Sequence, residues 1–342
     1  MHQDQELATD DTDATVDAVC VGETMALLVP EPVADGQHPR FRLEIGGAES
    51  NVAVHLARLG HRTAWRSALG ADEFGRHVAT RLTEEGVRCV VRTDPWSRTG
   101  LYVKELGSAG TQVRYYRTGS AASTLALADA PAVWQHHPRL LHTTGITVAL
   151  STDTAKLVHH LLESAPNGVL RSFDVNYRSA LHGSEDGTRA TPEYAAALLR
   201  AAQCADVVFC GLDESTALWG VTTITEVREL LDAPELVVVK QGAGGATALR
   251  GAESYFVPAP PVEVVEPVGA GDAFAAGVLH GLLSGDAVET SLRAGTRLAG
   301  AVLGIDGDIP PRPAPAPGSA REPDGAAAAT GGSAKGGTPG VQ

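Results

Sequence analysis

The sequence predicts a three-layer α/β/α fold with a mainly parallel sheet and a small antiparallel β sheet standing off it. Three observations predict this. Short apolar strand-like runs alternate with helix-like segments through most of residues 16–310, the pattern of a parallel sheet covered on both faces. Segments 38–45, 98–106 and 111–117 break that alternation: polar and apolar residues alternate with no helix between, as in antiparallel strands with one wet face. Late in the chain, Gly269-Ala270-Gly271-Asp272 opens an apolar helix. Glycines there let the backbone approach a ligand, and a helix N-terminus favours anions.

The elements follow in order. Residues 1–15 are polar and acidic and are expected to be disordered. Val16–Val29 reads as strand, Ser50–Leu59 as a helix ending at Gly60, Thr63–Leu69 as strand, and Phe74–Glu85 as a helix stopped by Gly86. Leu140–Ile146, Val169–Val175, Asp206–Cys210 and Leu236–Lys240 read as short buried strands, with helical patterns at 151–165, 192–203 and 213–219 between them. Gly271–Leu283 and Ala287–Leu303 read as two closing helices. Lid strands are expected within 38–47 and 98–120, over the carboxyl ends of the core strands, where α/β folds bind ligands. Residues 311–342 are rich in Pro, Gly and Ala, with almost no large apolar side chains; such a tail is expected to be disordered.

Composition narrows the function. The chain has 342 residues, 43% of them hydrophobic, which is enough for a sizeable core. A formal net charge of -14 argues against a nucleic-acid surface. Cys20, Cys89, Cys204 and Cys210 lack metal-ligand spacing, and Cys20 and Cys210 sit in apolar runs as buried thiols. No basic stretch followed by an apolar core opens the sequence, and no apolar run reaches the roughly 18 residues of a membrane span. The expectation is a reduced, cytoplasmic protein with no membrane or nucleic-acid partner. His136-His137 and His159-His160 read as surface residues.

Several clusters carry chemistry. Gly269–Asp272 offers an anion hole with a carboxylate beside it, the equipment for phosphoryl transfer to an alcohol; alone, it also fits a helix start with an acidic first turn. Gly46, Gly47 and Asn51 precede and open the first core helix, either as close approach to a polyol or as a capped turn. Tyr115 and Arg117 share a strand face that Tyr102 can join, suited to a ligand with hydroxyls and a carboxylate, or simply an exposed polar face. Alternation puts Asp174, Asn176 and Arg178 on one side after a buried strand, as ligand contacts or as a salt-bridged loop. Asp213 and Glu214 suit a helix dipole or a contact to Mg2+ water. Lys240-Gln241-Gly242-Ala243-Gly244-Gly245 is a glycine-rich connection between strands, with Lys240, Gly242 and Gly245 expected on the nucleotide side; it is no dinucleotide fingerprint, and no phosphate-binding P-loop occurs.

Taken together, these segments resemble the ribokinase-like (PfkB) family of sugar kinases over nearly all of 16–310. Gly46–Asn51 matches the family's early motif and Gly269–Asp272 its late GAGD motif, while Leu69–Gly75 matches a third stretch. Within the family, Thr99–Tyr102, Tyr115–Ser123 and Asp174–Arg178 are most similar to the 2-keto-3-deoxygluconate kinases. The resemblance implies Gly47, Tyr102, Tyr115, Arg117 and Arg178 as substrate contacts and Asp272 as base. It also implies Gly269, Ala270 and Gly271 as the anion hole and Gly242 and Gly245 at the ATP site. Glu214 matches the family's metal-side glutamate, but Gly211 stands where the family has asparagine.

The resulting expectation is an ATP- and Mg2+-dependent kinase acting on the terminal hydroxyl (O6) of 2-keto-3-deoxygluconate or a related sugar acid. Arg178 with Arg117 is expected to hold the substrate carboxylate. Exposed lid edges predict a homo-oligomer. Alternatives are a kinase for a neutral sugar such as fructose or ribose, a catalytically silent sugar-acid sensor, and a nucleoside kinase, for which the lid lacks stacking aromatics.

Overall fold

A computed structural model describes residues 15–33, 38–107, 110–178, 190–304 and 309. The chain divides into two units, Met1–Pro310 and Pro311–Gln342; residues 1–14 and the tail at 311–342, both expected to be disordered, lie outside the described residues.

The core sheet has nine strands. β1 (Ala18–Val21), β4 (Thr63–Gly70), β5 (Val87–Asp94), β8 (Leu140–Thr144), β9 (Leu170–Asp174), β10 (Val207–Gly211) and β11 (Leu236–Lys240) are parallel to their neighbours. β12 (Ala246–Arg250) and β13 (Glu253–Val257) continue one edge in antiparallel fashion. The order is β13-β12-β11-β10-β9-β8-β1-β4-β5. The strands are apolar at consecutive positions because both faces are covered. Val19 and Val21, Val208 and Cys210, and Val237 and Val239 turn to one core layer; Ala18 and Cys20, Val207 and Phe209, and Leu236 and Val238 turn to the other.

Helices fill the two outer layers. α1 (Ala48–Arg58) and α2 (Glu73–Glu84) pack on one face. α3 (Ala130–Trp134), α4 (Gly145–Leu150), α5 (Thr152–Glu163), α6 (Pro192–Gln203), α7 (Leu212–Trp219) and α8 (Ile224–Leu230) pack on the other. α9 (Ala270–Ser284) and α10 (Val288–Leu303) return to the first face.

β2 (Met25–Glu31), β3 (Arg40–Gly46), β6 (Leu101–Gly107) and β7 (Gly110–Tyr116) form the small sheet, ordered β3-β2-β6-β7. β2–β3 and β6–β7 are antiparallel pairs, joined side by side through a parallel ladder between β2 and β6. The single strand expected over Val16–Val29 is therefore two strands in two sheets. The chain leaves the core at Gly22, where a Cβ would lie 2.1 Å from Glu49 Cδ.

Other boundaries also differ. The strand expected to reach Ile146 stops at Thr144, whose Oγ1 accepts the Ile146 N–H and starts α4. His136, expected at the surface, is buried with its Nδ1 3.4 Å from Arg88 Nη1. Cys20 and Cys210 are buried thiols, as expected.

Candidate active site

A cavity of about 380 Å³ lies between the small sheet and the carboxyl ends of the core strands. α9 supplies one end of it. Gly269 precedes the helix with φ of 81° and no side-chain cap. That left-handed angle strains any residue with a Cβ. The first turn of the helix therefore presents backbone N–H groups rather than a capping side chain.

Asp272, in that first turn, is buried and lines the cavity. Asn51 Nδ2 donates to its Oδ2 at 2.8 Å, and Asn176 Nδ2 lies 3.5 Å from its Oδ1. Asn51 comes from α1, whose entry is set by Gly47: a Cβ there would sit 2.3 Å from the Glu23 carbonyl oxygen. Three segments distant in sequence thus hold one carboxylate beside a helix N-terminus. Asn51 Oδ1 is buried with no hydrogen-bond partner among the described residues, an acceptor available to a ligand hydroxyl.

The small sheet walls the opposite side. Tyr102 and Tyr115 stand directly across from one another on β6 and β7, with ring centroids 5.8 Å apart. Arg117 Cζ lies 5.8 Å from the Tyr115 ring centre. The three line the cavity together, as the shared strand face predicted.

Arg117 is not a free cation, however. Its Nη2 pairs with Glu23 Oε2, and Ser120 Oγ donates to Glu23 Oε1. Glu23 is buried and Arg117 is mostly covered, so the pair is largely shielded from water. Arg117 Nε has no hydrogen-bond partner among the described residues. Sequence reasoning missed Glu23, which lines the cavity just past the end of β1. The signal was an acidic residue at the carboxyl end of an apolar strand. It also missed the ion pair of Lys104 on β6 with Glu266, Nζ to Oε2 2.6 Å, buried on both sides. This pair ties the small sheet to the segment preceding Gly269.

The expectation that Asp174, Asn176 and Arg178 share one side is corrected. Asn176 has φ of 40°, which breaks the strand alternation. Asn176 lines the cavity, and so does Arg178, exposed and donating to the Tyr177 carbonyl at 3.2 Å. Asp174 instead points into the protein, where Lys240 Nζ donates to Oδ1 at 3.0 Å and Oδ2 at 2.9 Å.

Gly46, Gly47, Lys240, Gly269 and Gly271 line the cavity. Ala270 is in the first turn of α9 but is not part of the wall among the described residues. Gly242 and Gly245 also lie outside it, flanking the turn between β11 and β12.

Glu214 lines the cavity with its carboxylate already engaged: it accepts the Tyr177 N–H at 3.1 Å and the Gly211 N–H at 2.5 Å. Burial raises its pKa, against the pull of nearby Lys240. A Cβ on Gly211 would meet Asp213 Oδ1 at 2.4 Å and Glu214 Oε2 at 3.1 Å, so the glycine makes room for this hooked glutamate. Among the described residues, no cluster of three or more His, Cys, Asp or Glu is placed to hold a metal ion. The donor set fits a hydrated divalent cation carried by phosphate, reached by Glu214 through water, rather than an all-protein cage.

Comparison with known proteins agrees with this geometry. The sequence profile of the pfkB family carbohydrate kinases matches residues 16–315. A 2-dehydro-3-deoxygluconokinase of Bacillus subtilis is 35% identical over 303 residues, covering 86% of this chain and 91% of the relative. A 2-dehydro-3-deoxygalactonokinase of Haloferax volcanii is 34% identical over 303 residues, covering 86% and 93%. The crystal structure of a PfkB protein from Polaromonas sp. JS666 superposes with a TM-score of 0.74 at 35% identity, covering 86% of this chain and 98% of that one. The chain belongs to the PfkB family of carbohydrate kinases.

Proposed function

We propose that this kinase transfers the γ-phosphoryl group of ATP to the terminal hydroxyl, O6, of 2-keto-3-deoxygluconate or a close stereoisomer. The observation that carries the reading is one cavity lined by Asp272, Asn51 and the start of α9 together with Tyr102, Tyr115 and Arg117. Relatives named for both the gluconate and the galactonate acid support the substrate class.

In this reading Asp272 accepts the hydroxyl proton as the oxygen attacks phosphorus. Asn51 and Asn176 fix the carboxylate in place. The amides of 269–271 bind the phosphoryl oxygens, and Glu214 is the residue that would hold a hydrated Mg2+ through water, where the ion would supply charge to the phosphates. Gly46 and Gly47 let the sugar approach the backbone. Arg178, exposed at the cavity rim, supplies the charge for the substrate carboxylate; Arg117 adds its unpaired Nε. Gly242 and Gly245 flank the nucleotide. The protein acts in the cytoplasm as a homo-oligomer joined through the lid strands. Among the described residues, no helix is long and apolar enough to cross a membrane.

One observation favours a second reading. Glu23 places a carboxylate in the cavity beside Arg117, and such a group accepts hydroxyls of a neutral sugar well. A coupled ADP-release assay with ATP and Mg2+ separates the two. Turnover of the sugar acid at least about tenfold above fructose and ribose supports the first, since an ion-paired carboxylate discriminates strongly. The reverse preference supports the second.

A further inference from the structure

In the same cavity wall as Asp272, a lysine is held with one donor to spare. Lys240 ends β11, and its Nζ spends two of its three N–H groups on the Asp174 oxygens, at 3.0 and 2.9 Å. No third acceptor is bonded among the described residues. Asp174 is 1% exposed, so the tether is anchored to a fixed group. The ammonium lies against the α9 N-terminus: a Cβ built on Gly271 would be 3.9 Å from Nζ. Lys240, Gly269, Gly271 and Asp272 all line the same cavity. Burial works against the charge, but Asp174 and then Glu214 outweigh it and keep the ammonium protonated.

Resting on the kinase reading of this cavity, we propose that Lys240 is a catalytic residue whose third N–H donates to an oxygen of the transferring phosphoryl group, with Asp174 as its positioning residue. The acceptor hydroxyl oxygen forms its bond to the γ-phosphorus while the bond from phosphorus to the β,γ-bridging oxygen breaks. ADP leaves with that electron pair, and the hydroxyl proton goes to Asp272. Lys240 keeps its proton throughout and supplies charge alone. A compact ammonium on a flexible stem follows a group that moves during transfer, which a rigid guanidinium fork does not. The buried carboxylate partner confines that stem, so little reorganisation remains when the phosphoryl group arrives.

Lys240→Met leaves Asp174 buried and uncompensated and can fail to fold. The double variant Lys240→Met/Asp174→Asn removes both charges and carries the test alongside it. Circular dichroism establishes folding, steady-state kinetics give kcat and KM, and calorimetry gives affinities for ADP and for the β,γ-imido analogue of ATP. The proposal expects a folded double variant with kcat lower by about 100-fold and sugar KM within about threefold. Affinity for the imido analogue falls by about tenfold while that for ADP holds, because a charge-assisted bond to the last phosphate is lost. Unchanged kcat overturns it, and so does equal loss of both nucleotides, which marks Lys240 as mere support for the site. A wild type that binds neither nucleotide overturns the kinase reading itself, and this assignment with it.

Discussion

Two of the cations that line the cavity are tethered to carboxylates, and they are tethered differently. Arg117 is paired with Glu23 next to two tyrosines; Lys240 is paired with Asp174 next to a helix N-terminus. Arg117 is a planar fork whose unpaired Nε matches a flat carboxylate, while Lys240 is a point charge with one donor left, suited to a phosphoryl group. In both cases the acidic partner does more than neutralise. It fixes where the cation stands before a ligand arrives, which lowers the reorganisation needed on binding. One cavity thereby carries two pre-positioned cations of different shape, with the Asp272 carboxylate in the same wall.

Removing the carboxylate that shares the cavity with the two cations has the largest expected effect. Asp272→Asn should fold normally and lose kcat by about 1000-fold, within the range for a positioned general base, with KM changed by less than about threefold. Steady-state kinetics check this, and a kcat within tenfold of wild type removes Asp272 from the role.

The rim cation comes next. Arg178→Ala should lower kcat/KM for the sugar acid by about 100-fold, the scale of a lost charged contact, and for a neutral ketose by less than about threefold. Equal losses for both substrates would remove Arg178 from carboxylate recognition.

Breaking one tether gives a smaller effect. Glu23→Gln keeps the shape and removes the charge beside Arg117. The prediction is a sugar-acid KM altered by about tenfold, a change of roughly 1.4 kcal/mol, with kcat for bound substrate within about threefold. An altered kcat with constant KM would place Glu23 in the chemistry instead.

The last effect lies outside the cavity and bears on stability rather than turnover. His55 and His142 are buried, and burial lowers each pKa from 6.5 to about 4. Unfolded histidines protonate near 6.5, so between these values the unfolded chain binds more protons, and stability rises with pH and drops on acidification. The contribution is complete above pH 6.5 and lost as pH falls through about 4, up to about 3 kcal/mol for each residue. Thermal melts of wild type and His142→Gln across that window check it: the variant should show the shallower slope, and parallel slopes would contradict it.

Much of this architecture was legible because its signals are local. Strands buried on both faces are apolar at consecutive positions, so β10 and β11 stood out, and the glycines before Asp272 announced the start of the helix that reaches the cavity. Tyr102, Tyr115 and Arg117 followed from the two-residue period of a strand. The missing parts depend on contacts between distant segments. Glu23 pairs with a residue 94 positions away, and Lys104 pairs with Glu266 across 162; no local pattern encodes either. Asp174 misled because alternation was carried past the end of β9, while Asn176 turns into the left-handed region and sends the two side chains apart. The break between β1 and β2 was hidden because both strands are apolar, and only the packing of Gly22 against Glu49 separates them.

The central claim is that a carboxylate in the first turn of α9 accepts the proton of a sugar-acid hydroxyl while ATP is cleaved. The most direct measurement is phosphorus NMR of the product formed from 2-keto-3-deoxygluconate, ATP and Mg2+ by wild type and by Asp272→Asn. The account predicts a phosphate monoester at O6 from the wild type and almost none from the variant over the same time. Phosphorylation at another oxygen, or equal product from both proteins, would contradict it.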